Sequence, residues 1–353
     1  MNNRTEFINR RRMLQVTLAG LSAGLTGAAP GNRTRMGLGI HSFGIHTRMD
    51  RTAGRDFTDP LSFLEYAHSL GAGGVQVEVG ARDETYTRRL RERMESLGLY
   101  LESQTRLPNA PNEVEQFEME MRASKEAGAT VMRIAMGGRR YEDLTSRDQF
   151  NAYVKQCRRR LELAEPVARR HGMRLAVENH KDLLIAEFIQ LLETISSEFV
   201  GVCVDTGNSI ALLENPIDVV EAYAPWSMAA HLKDAVVCRY RDGFLLGDPV
   251  LGTGILDLPR ICKILLEAKP DLRFSLELIT RDALEIPCLM EEYWATFPDV
   301  PGAALAQALR WVEQHATPKE MPQVGNLTPE AHMQLEERNI VESIDYAARR
   351  LAL

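Results

Sequence analysis

Eight short apolar runs, each followed by an amphipathic stretch, govern what this chain can fold into. They fall at residues 37–43, 74–79, 99–104, 130–136, 173–178, 200–205, 227–233 and 273–278, with starts 25 to 46 residues apart. Each interval leaves room for a crossover helix. Strict strand-then-helix alternation implies an α/β fold with a parallel sheet. Eight units packed into about 280 residues predict a closed (β/α)8 TIM barrel. An open doubly wound sheet is the alternative, but no G-x-G-x-x-G follows the first run.

The intervening stretches carry helix signals. Asp59-Pro60 precedes Leu61, Phe63, Leu64, Ala67 and Leu70, an N-cap and a first-turn proline followed by helical apolar spacing. Residues 146–170 place Phe150, Val154, Leu161, Ala164 and Val167 on one side and basic residues on the other. Asp257-Leu258-Pro259 opens another helix, residues 301–315 form a further one, and Thr328-Pro329-Glu330 starts an extra C-terminal helix to about residue 350. The expected organisation is a barrel domain over 36–315 and a C-terminal helical extension over 316–353. The last helix sets Leu335, Ile340, Val341, Ile344 and Ala348 among charges, so it suits packing on the barrel or on a second subunit of a homo-oligomer.

The first 35 residues read differently. Arg10-Arg11-Arg12 precede a weakly apolar stretch from Val16 to Ala29, the layout of a twin-arginine export signal. A frayed N-terminal helix is the alternative. The stretch is broken by glycines and falls short of the roughly 20 apolar residues a bilayer span needs. The signal reading implies a periplasmic or exported protein with no stable membrane span after processing; without it the chain is cytoplasmic. The segment holds six arginines and one glutamate, or +5, so a total of −7 leaves −12 on the rest. Such a charge speaks against nucleic acid and for small-molecule work. The five cysteines, odd in number and without a C-x-x-C pair, fit neither a zinc ribbon nor a disulfide framework.

In a barrel the chemistry sits at the C-terminal strand ends. There the chain reads A-V-E178-N-H180, C-V-D205-T-G-N208, A-H231-L-K233-D and S-L-E277-L. Alternation points Ser275 and Glu277 inward and Phe274, Leu276 and Leu278 outward; likewise Ala176, Glu178 and His180 face in. Three carboxylates and one imidazole converging from neighbouring strands repel unless a cation sits among them. An O,O,O,N donor set with open positions suits Mn²⁺ or Mg²⁺, and accommodates Co²⁺ or Zn²⁺.

Glu178, Asp205 in V-D-T-G-N, His231 in H-L-K-D and Glu277 in S-L-E-L together resemble the sugar phosphate isomerase/epimerase family, the xylose-isomerase-like barrels, over about residues 36–315. The resemblance implies that these four are metal ligands and that Glu178 and Glu277 also move protons. It implies a metal-dependent isomerase or epimerase acting on a sugar or keto-sugar through an enediolate. A lyase, decarboxylating a 3-oxo sugar acid or dehydrating, is the close alternative, and a non-catalytic exported sugar-binding protein is a second. Ketose 3-epimerases usually have His three residues after the metal-binding Asp, where this chain has Asn208. The E-N-H-K-D segment and the Y-W-A-T-F-P loop point instead to the branch related to 3-oxo-isoapionate decarboxylase. An endonuclease-IV-like repair enzyme is disfavoured by the acidic charge and by only eight histidines.

The remaining candidates keep two readings each. His180 is a general acid for a developing alkoxide, or a partner of a metal carboxylate. Lys233 neutralises a substrate carboxylate or enediolate, or pairs with Asp234 or Glu277. His41, Gln76, Glu78, Glu102, Arg133 and Asn208 are inward candidates for substrate binding; Arg133 grips a carboxylate or phosphate, or pairs with Glu102 or Glu178. Trp294, in the long 280–299 loop, closes over a sugar ring or packs beneath the rim.

Overall fold

The computed structural model describes residues 33–49, 56–297, 301–316 and 321–353. Most of the 1–35 segment read as an export signal, up to residue 32, lies outside them. Eight parallel strands close into a barrel: β1 (Gly37–Gly39), β2 (Gly74–Val77), β3 (Tyr100–Thr105), β4 (Val131–Ile134), β5 (Arg174–Glu178), β6 (Val200–Asp205), β7 (Ser227–Leu232) and, after two further strands, β10 (Phe274–Leu276), which pairs with both β7 and β1. The (β/α)8 architecture inferred from the sequence is thus present.

Period-2 alternation sorts the side chains. Val75, Val77, Leu175, Val177, Leu232, Phe274 and Leu276 point outward and are buried beneath the helices. Val131, Ala176, Cys203 and Ala229 form a small apolar plug inside the barrel. Above the plug the interior turns polar: Gln76, Glu102, Arg133, Glu178, Asp205, His231 and Glu277 are all buried. Such a layer is costly unless its groups satisfy one another or a ligand.

The helices start where capping chemistry allows. The Asp59 side chain accepts from Ser62 N, Ser146 from Gln149 N, Asp257 from Arg260 N and Thr328 from Ala331 N. Gly172 closes the long helix Arg147–His171 in the left-handed region, at φ 59°. The last helix, Pro329–Tyr346, folds back on the barrel. Glu336 accepts from the backbone N–H of Ile45 and His46 and meets His46 Nδ1 at 2.8 Å, while His332 and Asn339 donate to Thr280. It therefore clamps the turn after β1 and the segment after β10 together. Among the described residues no helix is long and apolar enough to cross a membrane.

Two departures from the sequence reading matter. The first run ends early: after Gly39 the chain turns into a 3-10 helix, Ile40–Phe43, so His41 stands on a turn and not on a strand. In addition, β8 (Val236–Tyr240) and β9 (Gly243–Gly247) form an antiparallel hairpin, and β11 (Leu284–Ile286) joins its edge. This small sheet ties the segment after β7 to the segment after β10. A Cβ at Gly243 would collide with the Ile286 carbonyl oxygen, so the turn needs glycine.

Candidate metal centre

Four strand ends bring four donors together. Glu178 ends β5, Asp205 ends β6, His231 lies on β7 and Glu277 follows β10; one ligand atom from each lies within 4.8 Å of the others, and all four residues are buried.

The surrounding bonds orient each donor. Asp205 Oδ1 accepts from the backbone N–H of Gly207 and Asn208 at 2.9 and 2.8 Å, which turns Oδ2 toward the cluster. Asn179 brackets the same residue, accepting from Asp205 N and donating to its carbonyl. Glu178 Oε1 accepts from Asn208 Nδ2 at 3.0 Å, and Oε2 from Arg133 Nη2. Gln76 donates to Glu102 at 2.9 Å, so its carbonyl faces His231 Nε2 at 2.7 Å. That oxygen can only accept, so Nε2 carries the proton and the Nδ1 lone pair is left for the cluster.

Three buried atoms here, Asp205 Oδ2, His231 Nδ1 and Glu277 Oε2, make no hydrogen bond among the described residues. Their neighbours are one another, with His231 Nδ1 3.0 Å from Glu277 Oε2, and the Lys233 ammonium, 3.1 Å from Asp205 Oδ2 and 3.4 Å from Glu277 Oε2. Hard oxygen donors with one imidazole and orphaned lone pairs fit a divalent cation. Charge is finely balanced. Burial opposes ionisation of Glu178, but Arg133 outweighs it and holds the carboxyl down at about 2. Glu277 is likewise held well below the usual range, against burial, by a His231 that these carboxylates keep protonated until a cation displaces its Nδ1 proton, and by Lys233.

The structure moves several expected residues away from direct contact. Gln76 and Glu102 lie buried behind His231, and burial pushes Glu102 up to about 7. Trp294 does not reach the cluster. Its Nε1 donates to Cys288 O, and its ring packs edge-on against Tyr293 and Phe297 in a satellite core outside the barrel. His180 turns its Nδ1 to Gly138 O, and burial lowers its pKa to about 4, so the imidazole is neutral near pH 7. Lys233 pairs with Asp205 and Glu277, not Asp234, which instead accepts four backbone N–H groups.

Arg133 pairs with Glu178 and reaches His41 Nε2 at 3.3 Å. His41, the exposed Glu78 and Gln104 line a cavity of about 620 Å³ at the mouth between β1 and β3. One residue went unread in the sequence. Lys181 is buried, and its Nζ donates to Asn208 Oδ1 beside Lys233. Its signal lay in the E-N-H-K-D segment, but alternation from Glu178 puts an odd offset on the opposite face. Because β5 ends at Glu178, that rule stops applying there.

Residues 64–315 match the family described as xylose isomerase-like TIM barrel. The chain belongs to that family. Within it, 133 residues are 26% identical to 3-oxo-isoapionate decarboxylase of Pectobacterium atrosepticum, covering 36% of this chain and 48% of that protein. Over 88 residues the chain is 31% identical to the uncharacterized protein YihM of Escherichia coli, covering 25% of this chain and 26% of that protein. The chain thus spans about half the length of one curated relative and a quarter of the other. Among solved structures it superposes on a xylose isomerase-like barrel of Mycobacterium smegmatis in complex with magnesium (TM-score 0.50, 16% identity, 79% of this chain and 94% of that one). It also superposes on the probable 3-DHS dehydratase AsbF of Bacillus anthracis (TM-score 0.50, 18% identity, 69% and 92%). At these identities the likeness is one of fold.

Proposed function

We propose that this protein is a divalent-metal-dependent enzyme that moves a proton next to the carbonyl of a sugar or keto-sugar derivative, as an isomerase or epimerase. The observation that carries the reading is the convergence of Glu178, Asp205, His231 and Glu277, with three of their atoms buried and unbonded. Bound there, Mg²⁺ or Mn²⁺ supplies Lewis acidity toward a substrate carbonyl.

The chain's own groups do the rest. Glu178 and Glu277 approach from different strands and stay ionised, so one can take a proton from carbon and the other return one on the opposite face of the enediolate. Arg133 keeps Glu178 ionised and aimed. Gln76, fixed by Glu102, holds the His231 tautomer. Lys233 is held protonated by Asp205 and Glu277 despite burial, and sets a positive charge beside the oxygens of the enediolate. A second reading, loss of CO₂ or water from the same intermediate, is favoured by the partial match to a decarboxylase.

The test is NMR of Mg²⁺-loaded protein with a panel of ketoses and 3-oxo sugar acids in D₂O. Deuterium entering a retained carbon is the expected result. Loss of a carboxyl carbon selects the lyase reading. Bound ligand with neither outcome sinks both.

A further inference from the structure

Charge around the cluster is more positive than a neutral substrate requires. Three carboxylates, Glu178, Asp205 and Glu277, already meet three basic side chains: Arg133 on Glu178, Lys233 on Asp205 and Glu277, and Lys181 next to Lys233. All three cations are buried, at 9, 4 and 3% exposure. Adding the divalent ion that the proposed function requires leaves the centre with an excess of about two positive charges, or one if Glu102 is ionised. In a buried site such an excess calls for an anion.

The excess has a location. The Lys181 and Lys233 ammoniums share one acceptor, the Asn208 side-chain oxygen. An ammonium has three N–H donors. Among the described residues Lys181 places one of them, on Asn208. Lys233 already faces Asp205, Glu277 and Asn208, so the unfilled donors are those of Lys181, and the two like charges side by side are repulsive until an anion approaches Lys181. Asn208 also donates to Glu178, so the ammonium pair lies one side chain away from the metal cluster.

We propose that the substrate is a sugar acid whose carboxylate is received by the open donors of Lys181, beside the charge of Lys233, with its carbonyl or hydroxyl at the metal centre. This rests on the metal-dependent reading above. Lys181 and Lys233 thereby become the specificity-determining residues, and Asn208 the residue that positions them.

The test compares three ligands that differ only at C1: 2-keto-D-gluconate, with a carboxylate, D-fructose, with a hydroxymethyl group, and D-fructose 1-phosphate, with a phosphate ester. Mn²⁺ uptake is first measured by electron paramagnetic resonance for wild type, Lys181→Met, Lys181→Arg and Lys233→Met. Ligand affinity is then read from the relaxation of ligand protons by the bound Mn²⁺. The expected result is at least tenfold tighter binding of 2-keto-D-gluconate. That preference falls to less than threefold in Lys181→Met and is largely restored in Lys181→Arg, with Mn²⁺ affinity within threefold of wild type in both Lys181 variants, whereas Lys233→Met, which frees Asp205 and Glu277 of a cation, is expected to bind Mn²⁺ more tightly. Equal affinities, no binding of 2-keto-D-gluconate, an undiminished preference in Lys181→Met, or tighter binding of D-fructose 1-phosphate overturns the proposal. Failure of wild type to bind Mn²⁺ overturns the metal-dependent reading itself, and is separately visible in the first measurement.

Discussion

Arg133 and Arg140 are both buried guanidinium groups paired with a glutamate, and they have different tasks. Arg140 is sandwiched between the rings of Phe150 and Phe297, its guanidinium carbon 3.8 Å from each centroid. Every N–H has a taker: Thr296 Oγ1, Thr296 O, Asp182 O and both oxygens of Glu187. Arg133 has Glu178 and His41, while its Nε stays unbonded. The same contrast separates Asp234, saturated by four backbone N–H groups, from Asp205, whose Oδ2 is spare. A buried polar group that is fully satisfied holds the fold. One that is left partly open waits for something the chain does not contain.

That distinction predicts a hierarchy of effects. The largest belongs to the open cluster. Glu178→Gln or Glu277→Gln is expected to lower turnover by about 10³-fold, in the range of a lost acid–base group, with little loss of thermal stability. Near-normal turnover in either removes the proton-transfer assignment. Next comes the saturated side. Arg140→Met is expected to cost on the order of 3 kcal/mol in urea unfolding, because Glu187 and the Thr296 carbonyl lose their partner. Turnover per folded molecule stays near wild type; a selective loss of turnover would erase the contrast between the two arginines.

Glu102 gives a third, pH-dependent test. Burial raises its pKa from 4.5 to about 7, so the folded state binds its proton more tightly than the unfolded chain. Its contribution is fully present below about pH 4.5 and is lost as pH rises through about 7, a change on the order of 3 kcal/mol. Urea denaturation of metal-free Glu102→Gln at pH 4.5 and pH 8 should show a correspondingly flatter dependence than wild type. Parallel slopes would mean that Glu102 is ionised throughout. The smallest effect is at the surface. Arg158→Ala breaks an exposed i,i+4 pair with Glu162 and should change stability by less than about 0.5 kcal/mol.

How far the sequence speaks depends on period. Within strands it was explicit: 200–205 is the strand Val200–Asp205, and outward Phe274 and Leu276 with inward Ser275 follow from alternation alone. Past the strand ends it failed, since backbone turns there re-aim each residue separately. His180 and Lys181 lie two and three residues past the end of β5, yet one meets Gly138 and the other Asn208. Depth within the barrel was equally hidden: Gln76 and Glu78 share a parity, but Gln76 is wholly buried behind His231 and Glu78 stands exposed at the mouth. The accessory sheet had a legible turn, Asp242-Gly243, but its third strand arrives from a segment some forty residues later, which no local pattern announces.

That sheet divides the barrel mouth into unequal halves. Lys233 and Glu277 stand at the roots of two segments that β9 and β11 stitch together. Neither root can swing outward without opening the ladder, so this half behaves as a fixed jamb. The cavity by His41, Glu78 and Gln104 opens on the other side. On the proposed function, a substrate entering there meets His41 and the Arg133 behind it before the rigid wall, so arrival is directional: one end of the molecule leads, and the order in which its functional groups meet the protein is decided at the door.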